Sequence, residues 1–134
     1  MSAETRLRVP LRRRDVDTLG HLNQAVYHEL LEEGRAALFA PVRDDGDFRF
    51  ALVRIELDYR HEVRLADGEV EVVARVSALG RTSVTVTHEI LLADGTVAAE
   101  GRSVLVAWDR AARSSRELSE RERARLGALP SGDQ

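Results

Sequence analysis

A short polar stretch, residues 14–23, combines carboxylates, a glycine turn and the start of a predicted helix. Asp17 stands three residues before Gly20, and the helix is expected to begin near Asn23. The free amide N–H groups at a helix N-terminus favour an anion or a polarised carbonyl oxygen. A carboxylate beside such donors could attack or activate water while the amides stabilise the oxyanion. Aspartate is also a common turn and capping residue, so these residues alone leave a structural role for Asp17 open.

The other residues that could do chemistry have fewer partners at a usable spacing. His21 could orient Asp17 or a water molecule, or could be a hydrogen-bonding turn residue. His88 alternates with apolar strand residues, so it is expected in the interior or at an interface. Asp15 and Asp17 lack further ligands at metal-binding spacing, and no metal site is predicted. Ser83 has no His and Asp partners that the sequence arranges as a triad.

Composition limits the classes of function. The chain has 134 residues, enough for one domain over 1–134, and 43% of them are hydrophobic. Its 20 basic and 23 acidic side chains give a net charge of −3, so no attraction to nucleic acid or an anionic membrane is expected. Cysteine is absent, which excludes disulfides and thiol nucleophiles. The sequence lacks both a secretion signal and an apolar run of the ~20 residues that span a bilayer. We therefore expect a cytoplasmic protein.

Residues 23–39 have the periodicity of an amphipathic helix. Pro41 and the Asp44-Asp45-Gly46-Asp47 cluster are expected to end it. Gly34 lies inside the helix, either because the helix approaches the sheet closely or because a surface turn tolerates it. Apolar residues recur at three- and four-residue spacing, namely Val26, Tyr27, Leu30, Leu31, Ala37 and Leu38. The polar face is assigned to Glu29, Glu32, Glu33 and Arg35.

Strand periodicity precedes the helix and dominates the chain after it. A first strand is predicted over 7–11. Alternating apolar residues then predict strands at 53–59, 70–76, 84–92 and 97–108, with turn signals at Asp67-Gly68, Leu79-Gly80-Arg81 and Asp94-Gly95. This order predicts an α+β fold with one long helix across a five-stranded antiparallel sheet, the last four strands forming a meander. In the charged tail, 110–134, Ser119 and Glu122 have capping-box spacing for a short helix.

A linked set of motifs resembles the 4-hydroxybenzoyl-CoA thioesterase family, which has the hotdog fold. The resemblance spans residues 7–109 in the right order. Its motifs are Asp17-Thr18-Leu19-Gly20-His21-Leu22-Asn23, Tyr27, Glu32-Glu33-Gly34-Arg35, Tyr59-Arg60, Ala66-Asp67-Gly68-Glu69, Gly80-Arg81-Thr82-Ser83, Asp94-Gly95 and Ala99-Glu100-Gly101. The chain departs from the family at Gln24, where a second Asn is frequent, and at Gly34, where Ala is frequent. Arg60-His61-Glu62 stands where the family commonly has a proline.

The resemblance implies roles for particular residues. Asp17 matches the family's catalytic carboxylate, which acts as a nucleophile or as a general base for water. His21 is a candidate catalytic residue only through its position near Asp17, and the resemblance assigns it no role. The amides near Asn23 and Gln24 match the position that polarises the thioester carbonyl. Members of the family form dimers by pairing sheets edge to edge, with active sites at the interface. Apart from the resemblance, the candidate substrate-binding residues are Tyr27, Arg60, Arg64, Arg81 and Ser83. The three arginines stand where coenzyme A phosphates could be met, yet each could equally be a surface charge.

The sequence therefore predicts an acyl-CoA thioesterase that hydrolyses an acyl or aroyl thioester to the free acid and coenzyme A. Coenzyme A is part of the substrate, and no cofactor is expected. A homodimer or homotetramer is expected. The alternative is a non-catalytic module that binds acyl-CoA or acyl-carrier protein on the same fold. A dehydratase is less favoured, and the acyl group is left open.

Overall fold

The computed structural model describes residues 3–43 and 49–127. The Asp44–Asp47 cluster expected to end the helix and the last part of the charged tail, 128–134, lie outside these residues. The strands and helices, in chain order, are β1 (Glu4–Pro10), α1 (Gln24–Leu38), β2 (Phe50–Tyr59), β3 (Glu69–Leu79), β4 (Ser83–Leu91), β5 (Val97–Asp109), β6 (Ser114–Ser115) and α2 (Glu120–Leu126). Neither helix in this described part is long and apolar enough to cross a membrane.

The predicted helix is present, and it begins where its capping residue predicts. Asn23 is the N-cap, and its Oδ1 accepts a hydrogen bond from the Ala25 amide at 3.0 Å. The prediction of one long helix on five strands was incomplete, although the capping-box spacing of Ser119 and Glu122 had indicated a further short helix. The described residues also contain α2 and the two-residue strand β6, which pairs with β5. Helix α2 begins at a capping box in which Ser119 Oγ accepts from the Glu122 amide at 3.1 Å.

The sheet is antiparallel, with strand order β1-β3-β4-β5-β2. The predicted meander was therefore wrong for β2, which pairs with β5 instead of β3. The register aligns Phe50 with Ala107 and Tyr59 with Ala99. The reason is that residues 60–68 form a crossing segment rather than a hairpin turn. The Leu22 amide donates to the Val63 carbonyl at 2.8 Å, so this segment passes beside the start of α1 before the chain enters β3 at the opposite side of the sheet.

Strand β2 forms one edge of this sheet, and its apolar residues do not all point inward as predicted. The register shifts between Leu52 and Arg54, which disrupts the strict alternation. Leu52 is 45% exposed, Val53 58% and Tyr59 47%. An edge strand with exposed apolar side chains is a template for pairing with another chain.

Helix α1 lies very close to the sheet at Gly34. A Cβ atom built on Gly34 would lie 3.0 Å from Val72 Cγ1 and 3.6 Å from Ala74 Cβ. Close approach therefore explains this glycine, and tolerance at a surface turn does not. The buried side of the helix is also wider than predicted, because Arg35 is only 8% exposed. Its assignment to the polar face was wrong, since it follows the buried Leu31 by one helical turn.

Gly34→Ala is expected to lower the free energy of unfolding by about 1–3 kcal/mol, because overpacking outweighs the gain in helix propensity. In a Val72→Ala background, which removes Cγ1, the same change should become neutral or stabilising. Urea unfolding of all four proteins measures this coupling. A stabilising effect of Gly34→Ala in the parent would show that the close approach imposes no constraint.

His88 is a buried base, as its strand position predicted. It is 2% exposed, and burial together with the nearby positive charge of Arg35 lowers its pKa to about 4. The unfolded chain would bind a proton near pH 6.5, where the folded chain does not. Acidification therefore favours the unfolded state.

The free energy of unfolding is expected to fall as the pH is lowered from about 6.5 to about 4, by up to roughly 3 kcal/mol. His88→Gln should remove this part of the pH dependence. The control variant His28→Gln, at an exposed histidine, should retain the full pH dependence of the parent. Urea unfolding at several pH values measures it. If the free energy of unfolding depends on pH in the same way for the parent and for His88→Gln, the pH dependence does not come from His88.

Candidate active site

The turn before α1 holds Asp17 by backbone hydrogen bonds. Asp17 Oδ1 accepts from the Leu19 amide at 2.9 Å and from the His21 amide at 3.2 Å. The Asp17 amide donates to the His21 carbonyl at 2.9 Å. Among the described residues, no donor contacts Oδ2. Asp17 is therefore a turn-capping residue through one oxygen, and the other oxygen is left for chemistry.

Asp15 has a different environment, although it stands only two residues away. It is 4% exposed, and Arg12 donates to its carboxylate from the side chain at 2.9 Å and from the backbone at 2.8 Å. Burial alone would raise the pKa of Asp15, but the hydrogen bonds and charge of Arg12 outweigh it and lower the pKa. The Asp15 carbonyl also accepts from the Asn23 amide at 2.7 Å. Asp15 thus fixes the turn to the start of the helix.

The first turn of α1 offers hydrogen-bond donors beside Asp17. The side chain of Asn23 caps the Ala25 amide, and the Asn23 carbonyl accepts from the Val26 amide. The backbone amide of Gln24, the first helical residue, has no acceptor in the part of the chain that the structure describes. Such an amide carries the partial positive charge of the helix N-terminus. It is a suitable donor for a developing oxyanion.

A cleft of about 490 Å³ lies between this turn, the start of α1 and the end of β2. Tyr27 and Tyr59 meet edge to face in its wall, with ring centroids 4.9 Å apart and an interplanar angle of 78°. Tyr27 is buried, and burial, with a smaller effect of Tyr59, raises its pKa. The lining residues are Asp17, His21, Leu22, Gln24, Tyr27, Tyr59, Arg60, His61, Glu62 and Val63. The cleft therefore has an apolar floor and titratable groups at its rim.

The cleft brings together five of the nine residues predicted from sequence: Asp17, His21, Gln24, Tyr27 and Arg60. Asn23 adjoins it as the helix cap. Arg60 Nε donates to Glu100 at 3.0 Å. Arg64 forms a backbone bridge with His21, and its amide donates to Asp67 at 2.7 Å, but its side chain does not line the cleft.

Arg81 and Ser83 lie elsewhere in the chain. Ser83 pairs with Val106, whereas the cleft lies at the end of β2 that pairs with Ala99. Seven residues along β5 correspond to roughly 23 Å. Arg81 forms an ion pair with Glu117 at 3.4 Å. These two residues therefore cannot meet a ligand in the same subunit's cleft unless the ligand is long.

Sequence reasoning missed Glu62, which pairs with His21. Its Oε1 lies 2.9 Å from His21 Nε2, and both side chains are about half exposed. This contact fixes the imidazole beside Asp17. Tyr59 and His61 were likewise not selected as site residues, although both line the cleft. The available signal was Arg60-His61-Glu62 itself, where the chain departs from the family's usual proline.

Metal ligation has little support here. Within residues 3–43 and 49–127, no three His, Asp or Glu side chains are grouped so that they could hold a metal ion. The hydrogen-bonding groups and arginine of the cleft suit an organic substrate with a polarised carbonyl.

Comparison with known proteins places these features in context. The family model of the thioesterase-like superfamily matches residues 11–126. A solved thioesterase from Thermus thermophilus, complexed with coenzyme A and Zn, is 35% identical, with a TM-score of 0.83 over 92% of this chain and 97% of that chain.

Two further solved structures are similar over nearly the whole chain. A thioesterase superfamily protein from Jannaschia sp. CCS1 is 26% identical, with a TM-score of 0.80 over 94% of this chain and 85% of that chain. A predicted thioesterase from Bacillus stearothermophilus is 25% identical, with a TM-score of 0.81 over 97% of this chain and 100% of that chain. No curated protein matches the chain.

The two aspartates are expected to differ in their effect on stability. Asp15→Asn should lower the free energy of unfolding by about 1–3 kcal/mol, because it weakens a buried charge-assisted hydrogen-bond pair. Asp17→Asn should cost less than about 1 kcal/mol, because the asparagine oxygen can still accept the two turn amides. Urea unfolding of both variants and the parent measures the two losses in the free energy of unfolding. An equal loss would show that Asp17 is as structural as Asp15.

Proposed function

Because the chain belongs to the thioesterase-like superfamily, and so to the hotdog thioesterases, we propose that the cleft beside Asp17 hydrolyses an acyl-coenzyme A thioester. The enzyme class, a thioester hydrolase, follows from the family. The proposal concerns the substrate and the residues. The observation that carries it is the presence of the Asp17 carboxylate and the Gln24 amide in one cleft.

In the proposed reaction, Asp17 either attacks the thioester carbonyl carbon or removes a proton from the water that attacks it. The carbonyl oxygen becomes an oxyanion, which the Gln24 amide stabilises. The C–S bond then breaks and coenzyme A leaves as a thiolate, which needs little protonation near neutral pH. If Asp17 attacks directly, water hydrolyses the resulting anhydride and regenerates the carboxylate.

Neighbouring residues support this proposal in two ways. His21, held by Glu62, is placed to orient a water molecule beside Asp17. Arg60 and His61 give the rim cationic or hydrogen-bonding groups that suit a phosphate-bearing ligand. The Thermus thermophilus relative was solved with coenzyme A, which agrees with such a ligand.

We further propose a dimer in which the edges of two β2 strands pair. In this dimer the cleft of one subunit would lie closer to Arg81 and Ser83 of the partner subunit than to its own. Antiparallel pairing about a twofold axis would place the Phe50 end of one β2 beside the Tyr59 end of the other. The partner's start of β4 would then lie three strands away, roughly 14 Å, instead of the roughly 23 Å within one chain. The exposed Leu52 and Val53 support pairing at this edge.

Asp17→Asn is expected to reduce kcat for thiol release at least ~100-fold, because the nucleophile or base is lost while the turn is kept. The matched control is Asp109→Asn, since Asp109 Oδ1 also caps two amides, at 3.0 Å each. That control should retain most activity. The assay uses a panel of acyl-CoA thioesters from short aliphatic through aromatic to long chain.

Two outcomes would contradict the proposal. An Asp17→Asn variant that folds and keeps most of its rate would make Asp17 a turn residue only. A parent that binds acyl-CoA but hydrolyses no member of the panel would favour the non-catalytic binding module instead.

A further inference from the structure

Three side chains beneath α1 carry polar atoms without hydrogen-bond partners. They are Arg35, His88 and Ser103, with exposures of 8%, 2% and 0%. Arg35 Nη1, both ring nitrogens of His88 and Ser103 Oγ find no partner within the described residues. Each such buried group lowers the stability of the folded protein, and a buried charge lowers it more. Buried polar groups without hydrogen-bond partners are rare in folded proteins, so three such side chains near one another require an explanation.

These three side chains form one cluster. His88 is aligned with Gly101 and Val86 with Ser103, so His88 and Ser103 are diagonal neighbours on one face of the sheet. That face is the one on which α1 lies, because Val86 and Ala74, the cross-strand partner of His88, belong to the core beneath the helix. The charge of Arg35, on α1, is close enough to help lower the pKa of His88.

A second cleft, of about 330 Å³, reaches Arg35, the member of this cluster that lines it. It lies between α1 and the first residues of β2, and its lining includes Arg35, Phe50, Leu52 and Leu105. Leu105 and Ser103 are two residues apart on β5 and therefore face the same side. Glu32 and Arg43 also line the cleft. The negative charge of Glu32 acts on Arg35 and opposes the lowering of its pKa by burial, but no carboxylate in the described part of the chain forms an ion pair with Arg35. Phe50, Leu52 and Leu105 give the cleft an apolar wall, and the guanidinium groups of Arg35 and Arg43 in its lining suit an apolar chain that ends in an anion.

The position of this second cleft relates it to the proposed active site. Tyr27 lines the first cleft and Arg35 the second, and both lie on the side of α1 that faces β2. Eight helical residues separate them, roughly 12 Å along the helix. An acyl group of intermediate length, with its thioester beside Asp17, could therefore extend toward Arg35.

We propose that Arg35, assisted by His88 and Ser103, binds a terminal carboxylate on the acyl group, so that the substrate is the coenzyme A thioester of a dicarboxylic acid. This inference rests on the proposed thioesterase function and names its substrate class. The guanidinium remains charged at neutral pH and can donate two parallel hydrogen bonds to a carboxylate. Neutral His88 donates through one ring nitrogen, and Ser103 donates through its hydroxyl.

The first test compares two thioesters of equal carbon number, one with a methyl and one with a carboxylate at the far end. The parent is expected to have a kcat/KM at least tenfold higher for the carboxylate-bearing thioester. Arg35→Met keeps the length of the side chain and removes the charge, so the preference should disappear while hydrolysis of the methyl-ended thioester stays within about threefold. Arg102→Met, at an exposed arginine paired with Glu56 at the surface, is the matched control and should keep the preference. A parent without the preference would overturn the proposal.

The second test needs no hydrolysis, so it separates this proposal from the thioesterase proposal. The free dicarboxylic acid should raise the melting temperature of the parent in a concentration-dependent way, and should not raise that of Arg35→Met. Without ligand, Arg35→Met should melt at a higher temperature than the parent, because it removes an unpaired buried charge. If Arg35→Met instead melts lower and dissociates in sedimentation experiments, Arg35 contacts the partner subunit and the substrate role is wrong.

Discussion

Helix α1 and strand β3 approach so closely that a Cβ atom at Gly34 would lie 3.0 Å from Val72 Cγ1. This contact sets how deeply the helix sinks onto the sheet, and it determines which side chains become buried. Leu31 and Leu38 are each 1% exposed, and burial of such a side chain contributes about 1.5–3 kcal/mol. Tyr27 lies on the same helix and meets Tyr59 with ring centroids 4.9 Å apart, so the wall of the first cleft also depends on where the helix lies on the sheet.

The cleft beside Asp17 also depends on the pairing of β2 with β5. A Cβ atom at Gly101 would collide with the Glu56 carbonyl, so the pairing of β5 with β2 requires glycine there. From the end of β2 the chain crosses beside the start of α1, where Val63 accepts the Leu22 amide. This path brings Glu62 against His21. The second half of the cleft is thus built by a crossing segment, not by a hairpin.

Local signals in the sequence predicted the local parts of the molecule. The capping residue Asn23 and the helical periodicity located α1 to within one residue at each end, and the same turn contained Asp17 and Gln24. The position of β2 could not be predicted, because alternation shows that a segment is a strand but not which strand it joins. Glu62 was missed for that reason, since its contact with His21 exists only once the crossing path is known. The burial of Arg35 was available in principle from its spacing to Leu31, but its charge suggested a polar face.

Two charged side chains, Asp15 before α1 and Arg35 near its end, are buried in very different surroundings. Asp15 is 4% exposed and is fully engaged by Arg12, so its burial fastens a turn. Arg35 is 8% exposed, and in the described residues its Nη1 has no hydrogen-bond partner and it forms no ion pair, although the charge of Glu32 acts on it. A buried charge without a close partner lowers stability, so a compensating group from outside the chain would stabilise the fold. Its place in the lining of the second cleft, roughly 12 Å along the helix from Tyr27, makes a ligand carboxylate the compensating group that we propose.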